Sequence, residues 1–260
     1  MFRTAILHLT RSPSYRKAVY DTWPRHARIR MLTLFSYPEL YGVADNNPYG
    51  LKVFAFLRLC GLTFRHEHIV DAQAAPRGQL PYITDDGVAV GDSDAIIQYL
   101  VSRYNLDINS GMTAKERRMD LFVRRTLDDL YWVMSYSRWR DPRFWPLFCE
   151  ALLRTHPALT HNTLELAQRH NFERYHYQGI GRFEPEQVYA RGLADLEALA
   201  DSIGDSQFLF GATVRSADAG IYGFLANIYF YPIETPLRAF LLARQNLVSY
   251  CERMHAAVTG

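Results

Sequence analysis

Pro81 interrupts a run that otherwise reads as a β-strand, and that one residue restricts the architecture more than any other. The stretch GQLPYITDDGVAVGDSDAIIQYL (residues 78–100) sets a short β-rich run, Tyr82–Thr84, directly behind the proline. A turn at Asp85-Asp86-Gly87 and a second run, Val88–Val90, come next. Asp92-Ser93-Asp94 then precedes a helical pattern with Ile96, Ile97, Leu100, Val101 and Tyr104 on one face. A proline within a strand forfeits a ladder hydrogen bond. A cis peptide before Pro81 accounts for the loss: it bends the chain and leaves the Leu80 N–H and C=O outward, free to pair with a short extended peptide. The Asp-Ser-Asp complements this. A helix N-terminus offers unsatisfied N–H groups and partial positive charge, which hold a carboxylate. Ser93 adds a hydroxyl donor, and Asp92 can accept from a ligand ammonium. Leu80, Pro81, Asp92 and Ser93 therefore make a receptor for a small peptide with an α-amino acid head group.

The surrounding pattern is β-α-β, a connector, then β-β-α. Residues 30–36 (RMLTLFS) read as a first strand and residues 63–70 (TFRHEHIV) as a second. Between them, Asn47-Pro48 is a helix start, with Asn as N-cap and Pro at the first helical position. That helix, PYGLKVFAFLRLC, stops at Gly61. Residues 105–112 (NLDINSGM) have no period and read as a linker. Beyond it strands vanish. Thr113-Ala-Lys-Glu116 is a capping box that opens a long helix with an apolar stripe at Met119, Phe122, Val123, Thr126, Leu127, Leu130, Val133 and Met134. Further helices are expected near 142–153, 162–177, 185–203, 217–231 and 237–256. An α/β unit followed by an all-α unit implies two domains, 31–106 and 107–260.

Residues 1–30 are compositionally foreign to the rest. They hold seven basic side chains and one acid, Asp21, whereas the remaining 230 residues carry 22 basic and 26 acidic groups. The segment is Arg-rich and acid-poor, as transit peptides are, but lacks the apolar region of a secretory signal. A basic arm, or an extension upstream of a second start at Met31, reads equally simply. The whole-chain net charge of +2 singles out no partner, and no nucleic-acid binding is expected. No run of 18 apolar residues implies a membrane span. Cys60, Cys149 and Cys251 are odd in number, lack CxxC spacing and lie in apolar helical contexts. They read as buried thiols in a reducing compartment, the cytoplasm.

With QLPYI and GDSDAI in that element order, residues 31–106 resemble the thioredoxin-like N-terminal domain of glutathione transferases, and residues 107–260 their all-helical C-terminal domain. A narrower resemblance, to the failed-axon-connections and metaxin-like branch, rests on FSYPELYGVADNNPYGLKVFAFLRLCGL, QLPYITDDGVAVGDSDAIIQYL, YQGIGR, GDSQFLFG and NLVSYCERM. The resemblance implies glutathione as a substrate, with no metal. Its cysteinyl backbone would pair beside Pro81 and its γ-glutamyl end would sit at Asp92-Ser93. It also implies a homodimer and a small hydrophobic electrophile lodged against the first helices of the C-terminal domain, where Tyr136 and Trp139 fall within an aromatic-dense stretch. The alternative is a non-catalytic scaffold or adaptor of the metaxin-like type. Metaxin-like members sit at mitochondrial outer membranes, whereas this chain ends soon after its last amphipathic helix.

Catalysis in the superfamily means stabilising the glutathione thiolate with a hydroxyl or thiol near the first strand's end or the first helix's start. The pattern departs here. Cysteine-type members carry the active residue directly before Pro-aromatic, and this chain has Asn47. Asn cannot act as a nucleophile, but its amide can donate to a thiolate. Tyr37 is the other leading candidate, followed by Ser36, with Tyr41 and Tyr49 also near; a site in which none is catalytic stays open. His66 and His68 alternate on one strand face with no third ligand evident, so an edge strand is expected rather than a metal site. His156, His161, His170 and His176 read as surface. Gly179-x-Gly181 lacks a preceding strand and a third glycine, so it reads as a helix-to-helix turn. The family's Ser/Thr-x-x-Asp motif falls at Asp218, with Arg215 three residues before it and Ser216 offered as a shifted cap.

Overall fold

The computed structural model describes residues 31–260; the basic segment 1–30 lies outside the described residues. Four strands form one mixed sheet in the order β2-β1-β3-β4: β1 (Thr33–Ser36), β2 (Arg65–His68), β3 (Tyr82–Asp85) and β4 (Val88–Gly91). β1 and β2 are parallel, joined through helix α1 (Pro48–Leu59), as a parallel pair requires a crossover. β1 pairs antiparallel with β3, which brings Phe35 opposite Tyr82, their rings stacked at 4.5 Å. The β3–β4 hairpin turns on Asp86 (φ 49°) and Gly87 (φ 86°), the left-handed pair a two-residue hairpin loop demands. His66 and His68 lie on an edge strand, and no group of three or more potential metal ligands occurs among the described residues.

The caps behave as local chemistry dictates. Asn47 Oδ1 accepts from Tyr49 N at 3.0 Å, Pro48 occupies the first turn, and Gly61 at φ 64° ends α1. Helix α2 (Ser93–Tyr104) follows β4. Helix α3 (Ala114–Trp139) opens on the Thr113–Glu116 capping box. Then come α4 (Trp145–Thr155), α5 (His161–Gln178), a single 3₁₀ turn at Ile180–Arg182, α6 (Pro185–Ile203), α7 (Ser216–Tyr229), α8 (Pro236–Leu242) and α9 (Gln245–Thr259).

The α/β and helical parts share one continuous core in which α1 lies directly on α7. Their backbones approach so closely that a Cβ on Gly223 would stand 2.5 Å from Pro48 O and 2.9 Å from Lys52 N, which only glycine permits. None of the described helices is long and apolar enough to cross a membrane.

Three local expectations need correction. The stretch 237–256 is two helices: α8 ends at Leu242 and α9 starts at Gln245, with the Ala243 N–H closing the first onto Ala239 O and Phe240 O. The apolar stripe of α3 is buried only from Val123 onward; Met119 and Phe122 are exposed, with no described element packed over the first two turns of that face. Ser216 does not cap α7. The Asp218 carboxylate accepts from Arg215 N (2.7 Å), Leu209 N (2.9 Å) and Tyr250 Oη (2.7 Å). Ser216 instead bonds Asn109 in the linker, its N–H donating to Oδ1 at 3.1 Å and its Oγ accepting from Nδ2 at 2.8 Å.

Candidate functional site

A cleft of about 1150 Å³ runs between the C-terminal edge of the sheet and the inner faces of α3 and α5. Its walls follow helical periodicity. α5 contributes Thr163, Leu164, Ala167, His170, Asn171 and Arg174, spaced by three and four residues. His156 and His170 therefore belong to the cleft rather than to plain surface, and His156 Nε2 also contacts Glu39 O at 2.9 Å.

The Leu80–Pro81 peptide is cis, and both residues line the cleft. Neither the N–H nor the C=O of Leu80 has a hydrogen-bond partner among the described residues. The start of α2 lines the same cleft. Asp92 adopts φ 77°, a conformation L-residues seldom take, and its Oδ1 accepts from Asp94 N and Ala95 N, both at 3.1 Å. Two of the first-turn N–H groups are thus consumed internally. The Ser93 N–H and Ser93 hydroxyl remain as donors, and Asp92 Oδ2 is held loosely, 3.5 Å from the exposed Arg77.

Ser93 is fixed from below by Lys52, a residue that sequence inspection passes over. Lys52 is 5% exposed on the buried face of α1. Its Nζ donates to Ser93 Oγ at 3.2 Å and pairs with Asp94. Arg124 of α3 adds a second contact to Asp94 at 3.0 Å and one to Asp120 at 3.1 Å. Burial pushes the Asp94 carboxyl up, but Lys52 and Arg124 outweigh it and hold it below its ordinary value.

The thiol-activating candidates separate clearly. Tyr37 lines the cleft, and its hydroxyl has no hydrogen-bond partner among the described residues. Burial, reinforced by Tyr131 and Asp45, pushes its phenol up to about 12, so it is a neutral O–H donor at ordinary pH. Asn47 also lines the cleft, its Oδ1 spent on the helix cap and its amide without a partner among the described residues. The buried Asp45 steadies it by accepting from Asn47 N at 2.6 Å; a Cβ on Gly50 would stand 1.6 Å from the other Asp45 oxygen. Ser36 is not brought to the cleft. It is fully buried, with its Oγ 2.7 Å from His66 Nε2 and donating to Tyr37 O at 3.2 Å. Tyr49 is committed to Asp128 Oδ1 at 3.0 Å. Trp139 reaches the cleft, joined by Trp132 and Tyr131; Tyr136 does not, because it is 5% exposed and packed between Tyr175 and Tyr189.

An α/β unit with free backbone groups and a helix N-terminus on one cleft, lined by aromatic-bearing helices, can pair with an extended backbone and hold a carboxylate. Comparisons with known proteins place the chain in a family. Residues 48–144 match the glutathione S-transferase N-terminal domain and residues 192–254 the glutathione S-transferase C-terminal domain. The isoprene-epoxide–glutathione S-transferase of Rhodococcus sp. (strain AD45) is 30% identical over 232 residues, covering 86% of this chain and 98% of that protein. The chain belongs to the glutathione S-transferase family. Failed axon connections of Drosophila melanogaster is 27% identical over 80% of this chain and 53% of its own length, and a metaxin-1 homolog of Caenorhabditis briggsae 23% identical over 85% and 72%. Among solved structures, a β-etherase of Sphingobium sp. strain SYK-6 shares the fold with TM-score 0.60 at 16% identity, covering 88% of this chain and 97% of that one.

Proposed function

We propose that this chain binds glutathione in the cleft and conjugates it to a small electrophile. The observation that carries the reading is that three sets of groups without a partner among the described residues line one cleft: the Leu80 N–H and C=O, the Ser93 donors, and the Tyr37 hydroxyl. The cysteinyl backbone pairs with Leu80, and the γ-glutamyl carboxylate takes the Ser93 N–H and O–H. Its ammonium faces Asp92. Tyr37 Oη donates to the sulfur, with the Asn47 amide as a second donor, and so favours the thiolate over the thiol. The thiol proton passes to water. The thiolate attacks the electrophilic carbon, a C–S bond forms, and the bond to the leaving group or epoxide oxygen breaks with its electron pair. Trp132 and Trp139 supply apolar surface for the electrophile.

The name of the Rhodococcus relative supports a transferase. The metaxin and failed-axon relatives, with Asn47 at the position where cysteine-type members carry their active residue, favour the second reading, a scaffold that retains the cleft without turnover. Following thiol consumption with a small epoxide and an aryl halide separates them. Tyr37→Phe should lower kcat/KM by roughly 100-fold while leaving glutathione affinity within about threefold. Glutathione binding without turnover on either electrophile is the scaffold result. The three free cysteines suit a reducing compartment such as the cytoplasm, and a homodimer is the assembly the family suggests.

A further inference from the structure

We infer that Arg174 is an anion receptor at the co-substrate end of the cleft, and that the electrophile carries a carboxylate or an equivalent anionic group. The inference rests on the glutathione reading above and narrows it to a substrate class.

Every other arginine of the cleft lining is committed to at least one carboxylate or to several acceptors. Arg124 is paired with Asp94 and Asp120, and Arg125 with Asp128 at 3.2 Å. Arg138 is spent on the Asn46 and Asn227 carbonyls, with its guanidinium 4.0 Å above the Tyr231 ring. Arg174 has one hydrogen bond among the described residues, from Nη1 to the neutral Asn171 Oδ1 at 3.0 Å. It makes no ion pair with any described residue. The three carboxylates in the lining, Asp92, Asp94 and Asp128, are each already engaged, by the α2 cap, by Lys52 and Arg124, and by Tyr49 and Arg125.

The guanidinium is also held in place. Asn171 is 8% exposed, and its Nδ2 is tied to Ala167 O at 2.9 Å, which turns Oδ1 toward Arg174. The Trp132 ring lies 5.2 Å from Arg174 Cζ. A planar fork gripped on one edge and backed by an indole, with its remaining N–H groups unpaired, matches a bidentate carboxylate. Tyr37, Trp132 and Arg174 line the same cleft. An electrophile bridging them sets an anionic head on Arg174, an apolar body on Trp132, and the reacting carbon toward Tyr37.

Calorimetry on the full chain with glutathione, S-(4-carboxybenzyl)glutathione and S-(4-carbamoylbenzyl)glutathione tests this. The carboxylate conjugate should bind roughly 10- to 100-fold more tightly than its amide twin, the span of a charged hydrogen bond. Arg174→Gln should erase that difference, leaving glutathione and the amide conjugate within about threefold, and Arg174→Lys should restore part of it. Equal binding of the two conjugates by the unmodified protein overturns the inference while leaving the glutathione reading standing. So does an Arg174→Gln loss that falls equally on both conjugates, since the residue would then serve the fold or the sulfur. Failure of glutathione itself to bind overturns both.

Discussion

Replacing Lys52 by Met keeps the side-chain stem and removes the charge that steadies Ser93 from beneath. Lys52 belongs to a linked set with Asp94, Arg124 and Asp120, two cations and two carboxylates. The substitution leaves the set one charge short in a site where Lys52 is 5% exposed. Stripping one partner from a buried pair costs about 3–5 kcal/mol. Here Arg124 still contacts Asp94 at 3.0 Å and the Asp94 side chain is 30% exposed, so the cost is scaled down to about 2–4 kcal/mol. For a chain of this size that is a fall in Tm of roughly 4–16 °C. The pH profile carries the sign. Lys52 and Arg124 depress the Asp94 pKa in the folded state, so this contribution is present above the ordinary carboxylate range and is lost as pH falls through the folded value. Lys52→Met should therefore show a shallower loss of stability on acidification. Scanning calorimetry of Lys52→Met, Asp94→Asn and the double variant checks this, with a coupling of about 1–3 kcal/mol expected between the two sites. A Tm change under about 2 °C, or simple additivity, would refute the claim that these groups act as one unit.

Gly223→Ala should cost about 1–3 kcal/mol by forcing α1 and α7 apart, read as a lower midpoint in urea; an unchanged midpoint would show that the 2.5 Å approach to Pro48 O relaxes freely. Asp195 has an oxygen buried without a partner, and burial beside Asp129 lifts its pKa to about 6. A carboxyl raised on folding favours the native state below its unfolded value and loses that contribution as pH rises through the folded one, so Asp195→Asn should gain about 1–3 kcal/mol at pH 7–8 and flatten the profile between about pH 4 and 6.

Local chemistry was legible wherever a residue's own type dictates its backbone. Asn47 and Pro48 open α1, Gly61 closes it, Asp86-Gly87 turn the hairpin and Thr113–Glu116 box α3, all at the expected positions. Leu80, Pro81 and Ser93 were visible for the same reason. Features set by tertiary partners were hidden. Lys52 looks like any lysine in PYGLKVFAFLRLC until α2 and α3 bring Asp94 and Arg124 to it. Arg174 sits in a polar helix whose cleft face emerges only from its packing against α3. The break between α8 and α9 carries no glycine or proline, and the Asn109–Ser216 contact spans 107 residues. Ser36 and Tyr136 have suitable chemistry and suitable spacing, but the sheet and α3 turn both inward.

Titrating glutathione into the protein and into Ser93→Ala by calorimetry probes the receptor itself. The account predicts saturable one-to-one binding at millimolar ligand or below, weakened roughly 10-fold by loss of the hydroxyl donor. No heat of binding at 10-fold higher concentration, or identical isotherms for the two proteins, would contradict it.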